Sequence, residues 1–325
     1  MNTPSRRSPL RIGIDLGGTK IEGVVAQLLP SGEAPQILAR RRVPTQRERG
    51  YDHIVTAVAQ LIREVAAEAG LANEALPPIG VGMPGSVNRA GVVKNSNTTV
   101  LNGRPFREDL MRQVGRPIAF SNDANCFALA EACFGAGRGH ELVFGIILGT
   151  GVGGGIVLPH GHGRDLEAGS HPMTWDGPHG LAGEWGHVPL DPVAGPPCYC
   201  GRRGCVETYL CGPAIEADYA RRSGQHLPLA ELAARTDDPA ATAALDAATA
   251  VFGRAVAMLI NILDPDVIVL GGGVSKLDLW YQKGPAEVSR WIFGGLGAGE
   301  LSTPIVRHQI GDSAGVLGAA LLGRD

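Results

Sequence analysis

Arg11–Gln27, RIGIDLGGTKIEGVVAQ, reads as an apolar strand, a glycine turn and a second apolar strand. Val143–Leu158, VFGIILGTGVGGGIVL, has the same layout. Laid side by side without gaps, Gly13, Ile14, Leu16, Gly17, Gly23 and Val25 match Gly145, Ile146, Leu148, Gly149, Gly155 and Val157. The chain therefore reads as an internal duplication of one strand-turn-strand unit, one copy in each of two domains.

Outward from these hairpins, strands alternate with helices. Tyr51–Ala69 places Ile54, Val55, Val58, Leu61, Ile62 and Val65 on one face, the pattern of an amphipathic helix. Ile79–Met83 and Ile118–Phe120 read as short strands, with a helix starting near Asp123. Ala247–Leu263 is an apolar helix, Val267–Leu270 a buried strand, and Ala314–Leu322 a closing helix of small apolar residues. Such alternation predicts an α/β fold. The expected division is a disordered lead over residues 1–9, a first domain over 10–135 and a second over 136–325, with the last helix packing back on the first. His160–Gly180, rich in Gly, Pro and His, is expected to be a surface loop. Its His160, His162, His171 and His179 suit a polar surface better than a second metal site.

The 325 residues suffice for two domains, and 44% hydrophobic with 19% charged residues is the balance of a globular protein. A net charge of -3 argues against a nucleic-acid partner or a membrane surface. No stretch is read as a membrane span, and residues 1–10 lack the apolar core of a signal peptide. A cytoplasmic location is the resulting expectation.

Asp15, Gly17, Gly18, Thr19 and Lys20 occupy the first hairpin turn, and Gly149, Thr150 and Gly151 the second. Glycines let backbone N–H groups approach phosphate oxygens, and Thr19 and Lys20 add a hydroxyl and a charge. Asp15 suits Mg²⁺, which takes few carboxylates and keeps waters. Gly271, Gly272 and Gly273 follow a strand and would let adenosine lie against the backbone. The sequence has neither a P-loop nor a dinucleotide fingerprint, because these glycines join strand to strand. One glycine turn would be only a tight hairpin. Two related turns and a third glycine run point to a nucleotide.

Asp123, in Ser121-Asn-Asp-Ala-Asn125, stands where a strand gives way to a helix, whose N-terminus favours an ionised carboxylate. Phosphoryl transfer needs a group to take the acceptor's proton. Asp123 suits that role, and capping the helix is the plainer alternative. Cys198, Cys200 and Cys205 crowd together, more the spacing of a metal site than of disulfides. Cys126, Cys133 and Cys211 read as buried thiols.

IDLGGTK, SNDAN, LGTGVGGG, GEWGH, CYCGRRGCVE and LGGGVS occur in the order found in the ROK family of bacterial sugar kinases and repressors. The chain resembles that family from about Leu10 to its end. The resemblance implies two actin-like, hexokinase-like (ribonuclease H-like) domains around a central cleft, with ATP, Mg²⁺ and a sugar bound. It places the catalytic aspartate at Asp123 and gives Asn122, Glu184, His187 and Glu207 the sugar hydroxyls, with Asn102 a weaker candidate. It makes His187 the fourth ligand of a structural Zn²⁺ beside the three cysteines. It also implies a homodimer. Family repressors carry a helix-turn-helix domain before the first glycine loop, and Asp15 leaves it no room. Within the family, Asn95-Ser-Asn97, Leu101-Asn-Gly103 and Cys198-Tyr-Cys200 look most like the fructokinases that also accept mannose, with N-acetylglucosamine kinases second.

Overall fold

The computed structural model describes residues 9–29, 33–88, 90–159, 172–295 and 301–323. The strands are β1 Leu10–Leu16, β2 Lys20–Gln27, β3 Gln36–Pro44, β4 Ile79–Met83, β5 Ser86–Val87, β6 Val93–Lys94, β7 Ile118–Asn122, β8 Val143–Leu148, β9 Val152–Leu158, β10 Met173–Thr174, β11 Val267–Gly271 and β12 Ile305–Arg307. The helices are α1 Tyr51–Glu68, α2 Phe106–Val114, α3 Asp123–Phe134, α4 Glu207–Leu210, α5 Gly212–Ser223, α6 Leu229–Ala233, α7 Pro239–Leu263, α8 Leu279–Gln282, α9 Gly284–Ser289 and α10 Ala314–Leu322. One sheet runs β3-β2-β1-β4-β7 and the other β10-β9-β8-β11-β12. β1 pairs antiparallel with β2 and parallel with β4, and β8 pairs parallel with β11. The strand order of the second sheet repeats that of the first, as a duplicated unit would.

Two compact units result. The first comprises the described residues within 1–138, 155–182 and 310–325, and the second those within 139–154 and 183–309. The chain thus passes between the units repeatedly, where the sequence suggested one boundary near 135. The expected lead over 1–9 falls almost wholly outside the described residues, as do His160, His162 and His171.

In the first unit, one sheet face packs on α1 and α2. Ile54, Val58, Leu61, Ile62 and Val65 are all at most 1% exposed, each burial stabilising by about 1.5–3 kcal/mol. α10 covers strands β1 and β4 and lies on α3. Glycine permits that approach: a Cβ on Gly80 would strike the Ala319 carbonyl, and one on Gly318 the Cys126 backbone. β3 carries Arg40 and Arg42, whose Nε atoms reach the buried Glu22 at 2.5 and 2.7 Å. Glu131 of α3, fully buried, accepts from the N–H groups of Ala136 and Ile310 at 2.9 and 2.8 Å. It thereby ties the end of α3 to the segment that leads into α10.

In the second unit, β11 is buried along its whole length, as suits a parallel strand covered on both faces. α7 packs on α5 and α9, and the Phe252 and Trp280 rings lie 5.1 Å apart. α7 corrects one expectation: at 25 residues it is long and apolar enough to cross a membrane. Ala241, Ala244, Val251, Phe252, Val256 and Leu259 are buried, which marks it as a core helix of this unit.

Candidate active site

The first glycine turn is a tight hairpin, closed by Gly17 N–H donating to the Lys20 carbonyl at 3.0 Å. Thr45, at the end of β3, straps it. Its N–H reaches the Thr19 carbonyl at 2.9 Å and its hydroxyl the Gly17 carbonyl at 2.7 Å. Thr19 and Lys20 are exposed. Asp15 sits at the inner end of β1, where a Cβ on Gly315 would lie 3.0 Å from its Oδ2. Burial, then the Glu22 carboxylate, raises the Asp15 carboxyl to about 6, against the pull of Lys20 and Arg42. A buried carboxyl under that strain is one whose desolvation a cation would offset, so the residue fits the Mg²⁺ expected there.

On the same unit, Asn122 ends β7 and caps α3. Its Oδ1 accepts from Ala124 N–H at 2.8 Å and its Nδ2 donates to the Gly85 carbonyl at 3.0 Å. Asp123 opens α3, with Oδ1 2.9 Å from the same Ala124 nitrogen. Capping therefore falls chiefly to Asn122. Behind them stands Asp176, which sequence reasoning missed. Its Oδ1 accepts from Ser121 Oγ at 2.6 Å and Asn125 Nδ2 at 3.0 Å, and its Oδ2 from Thr174 Oγ1 at 3.1 Å. Asn125 Oδ1 in turn accepts from Ile156 N–H at 3.0 Å. Ser121 and Asn125 are 6% and 1% exposed, so the residues two before and two after Asp123 are fixed by one carboxylate. Asn102 is placed differently from a free sugar ligand. Its amide exchanges two bonds of 2.9 Å with the Ser96 backbone and closes the 96–102 loop on itself.

In the second unit, Gly149 N–H donates to the Gly151 carbonyl at 2.9 Å, closing the second turn. Nothing lies within 4 Å of where a Cβ of Gly149 or Gly273 would stand, so both peptides face open space. Gly272 has φ 86°, the left-handed region, with the Leu148 backbone where a Cβ would be. Glu207, first residue of α4, accepts from Val152 N–H at 2.9 Å, and a Cβ on Gly151 would meet its Oε2 at 2.7 Å. The expected sugar ligand Glu207 is thus also a brace for the second glycine turn.

Glu184 and His187 share one turn of 3-10 helix, Glu184–His187. The ligand atoms of His187, Cys198, Cys200 and Cys205 all lie within 4.8 Å of one another. His187 Nδ1 is 3.5 Å from Cys198 Sγ, and Cys200 Sγ 3.6 Å from Cys205 Sγ. A tetrahedral zinc with these ligands has edges of about 3.6 Å from nitrogen to sulfur and about 3.8 Å between sulfurs, so the donor set fits it. Burial and the Cys200 and Cys198 sulfurs push the Cys205 thiol up to about 12, a crowding a cation would relieve. The other ring nitrogen, His187 Nε2, meets the Tyr199 hydroxyl at 2.9 Å. Tyr199 is 68% exposed. Cys126 and Cys211 are buried and Cys133 half-buried, all three as free thiols.

The ROK family model matches residues 11–325. An N-acetyl-D-glucosamine kinase of Photobacterium profundum is 35% identical over 95% of this chain and 98% of its own length. The ROK hexokinase of Thermus thermophilus superposes with a TM-score of 0.78 at 35% identity, covering 97% of each chain. A ROK family glucokinase from Streptomyces griseus, solved with glucose and AMPPNP, gives 0.74 at 29% identity over 97% of this chain and 99% of its own. The fructokinase-first order of resemblance is not supported, since the similar curated relative is an N-acetyl-D-glucosamine kinase. With its paired glycine hairpins, its SNDAN junction and its family match along nearly the whole length, the chain belongs to the ROK family.

Proposed function

We propose that this ATP-dependent sugar kinase uses Asp123 as the base that takes the proton of a hexose hydroxyl as that oxygen receives the γ-phosphate. The observation that carries the reading is the setting of Asp123, a carboxylate at a helix N-terminus with its flanking residues immobilised on Asp176. ATP supplies the phosphoryl group, and Mg²⁺ would neutralise its charge with Asp15 as the protein's carboxylate. Gly17, Gly18, Thr19 and Lys20 offer the phosphates N–H groups, a hydroxyl and an ammonium, and Gly149, Thr150 and Gly151 offer a second such turn. Gly271, Gly272 and Gly273 leave a flat backbone for adenosine. Glu184 and Glu207 accept from sugar hydroxyls, His187 reaches one only by exchanging the Tyr199 hydroxyl at its Nε2 for it, and Asn122 uses the amide hydrogen and lone pair its own bonds leave over. Asn102 acts through the loop it closes. His187, Cys198, Cys200 and Cys205 hold a structural zinc, whose thiolates suit a reducing, cytoplasmic compartment.

For the acceptor we rank N-acetylglucosamine first and fructose second, a reading supported by the likeness to an N-acetyl-D-glucosamine kinase and the reverse of the order drawn from Asn95-Ser-Asn97, Leu101-Asn-Gly103 and Cys198-Tyr-Cys200. Measured with ATP across N-acetylglucosamine, fructose, glucose and mannose, kcat/KM is expected to be highest for N-acetylglucosamine, by about tenfold or more over fructose. A fructose value higher by the same factor reverses the order and leaves the kinase standing. Turnover of none of them removes the kinase reading.

The clamp behind the base has its own expected result. Asp176→Ala frees Ser121 and Asn125 and should lower kcat about tenfold or more, the scale of a displaced catalytic group, with KM for ATP little changed. Asp176→Asn keeps an oxygen facing both donors and should restore most of kcat. Equal kcat in wild type and Asp176→Ala would reduce the clamp to a structural bond.

A further inference from the structure

We propose that Tyr199 sets the sugar affinity of this chain: its hydroxyl holds, at His187, the place of one sugar hydroxyl, and the sugar binds by turning it out. The proposal rests on the sugar-kinase reading and adds to it a residue that competes with the substrate.

The phenol oxygen lies 2.9 Å from His187 Nε2, and the two rings meet edge to face with centroids 5.0 Å apart. His187 Nδ1 faces the sulfurs, 3.5 Å from Cys198 Sγ. With Nδ1 given to a metal, Nε2 keeps the ring hydrogen and donates it. The phenol accepts that bond and still has its own hydrogen to give. A sugar hydroxyl has the same two capacities. Desolvation of the phenol, then the Glu207 and Glu184 carboxylates, raise it above its ordinary range. Its hydroxyl therefore sits in the field of the two carboxylates proposed to accept from the sugar. Glu184, His187, Tyr199 and Glu207 all belong to the second unit.

Exposure makes the phenol exchangeable. Tyr51 and Tyr219 are 8% and 0% exposed, and their hydroxyls are fixed on Asp109 and Asp238 at 2.6 and 2.9 Å. Tyr199 is 68% exposed, so packing does not hold its ring. Its backbone is held instead. Cys198 N–H reaches the Arg202 carbonyl at 2.8 Å, and Gly201 N–H the Cys198 carbonyl at 3.0 Å. Turning the phenol out takes a side-chain rotation and leaves the cysteine knuckle in place. A ligand has a way in, because the ring that closes the position is itself at the surface. A sugar with the matching hydroxyl gives up the phenol bond as it gains its own, which weakens its binding. A sugar without that hydroxyl leaves the phenol in place, and His187 is not left unpaired.

The test compares wild type with Tyr199→Phe, which keeps the ring and removes the hydroxyl, on the full chain as purified. The probes are whichever of N-acetylglucosamine, fructose, glucose and mannose has the highest kcat/KM, and its single-deoxy analogues. KM for the parent sugar should fall by about threefold or more, the lower range of one net hydrogen bond. Values of kcat, KM for ATP and zinc content should stay near wild type. One deoxy analogue should show no fall, which marks the hydroxyl that meets His187. Without nucleotide, the parent sugar should shift a near-ultraviolet tyrosine band in wild type that Tyr199→Phe lacks. A sugar KM that stays level or rises, with zinc retained, overturns the proposal, a rise meaning that the phenol itself holds the sugar. Lost zinc or a much lower melting temperature in Tyr199→Phe overturns it as well, since the phenol would then be a tether for His187. A wild type that phosphorylates none of the four sugars takes down the kinase reading and this one together. An active enzyme with the same KM in both forms takes down this one alone.

Discussion

Replacing Asp123 by Asn is expected to lower kcat by about 10²-fold or more, the scale of lost general-base catalysis, while the melting temperature and the sugar KM stay near wild type. The reasoning starts from the junction of β7 and α3. Ala124 N–H already has two acceptors, Asn122 Oδ1 at 2.8 Å and Asp123 Oδ1 at 2.9 Å. An amide at position 123 keeps an oxygen for that bond, so the helix start survives. The Ser121 and Asn125 bonds to Asp176 do not involve residue 123, so the segment stays clamped. What the substitution removes is the negative charge and the capacity to accept a proton. Loss confined to kcat is the signature of an interaction made only in the transition state. A variant with wild-type kcat would take Asp123 out of the mechanism. A variant with a much lower melting temperature would show that its charge serves the helix.

The two glycine hairpins were legible because their signal is local: apolar runs on either side of residues that only a tight turn needs. The α1 face was legible for the same reason, and every residue placed on it is buried. β3 was not, because QILARRRVP is a largely exposed edge strand whose arginines hide any alternation. Their partner Glu22 lies on β2, so the sense of that charge run appears only once the strands pair. α7 begins at Pro239, earlier than read, although Asp238 before a proline is an ordinary helix start: its Oδ1 accepts from Ala240 N–H at 2.8 Å. Asp176 had no signal at all. It lies in a stretch without periodicity, and its role depends on donors more than fifty residues away in sequence. Asn102 shows the limit of residue type, which suggested a ligand, while its amide bonds to the loop it belongs to.

The purified chain is expected to hold about one zinc, because the described residues offer one complete four-ligand set. Cys200→Ser, or strong chelation, should remove it, lowering the melting temperature by about 10 °C or more. The second consequence separates this site from a simple staple. Glu184 lies three residues before His187, and Glu207 two residues after Cys205. Zinc would therefore join the two segments that carry the proposed sugar ligands. Glu207 also braces the second glycine turn through Val152 N–H at 2.9 Å, with Gly151 against its Oε2. The knuckle that sets Glu207 is itself tightly folded. Cys198 N–H meets the Arg202 carbonyl at 2.8 Å, and Gly201 and Gly204 adopt φ 86° and 65°. Losing the metal should free this knuckle, so KM should rise for the sugar and for ATP together, each by about tenfold or more. A rise for the sugar alone would mean that Glu207 holds the glycine turn without help from the metal. Freshly prepared, unchelated protein with no zinc by elemental analysis would leave the four side chains as a thiol cluster with a histidine beside it.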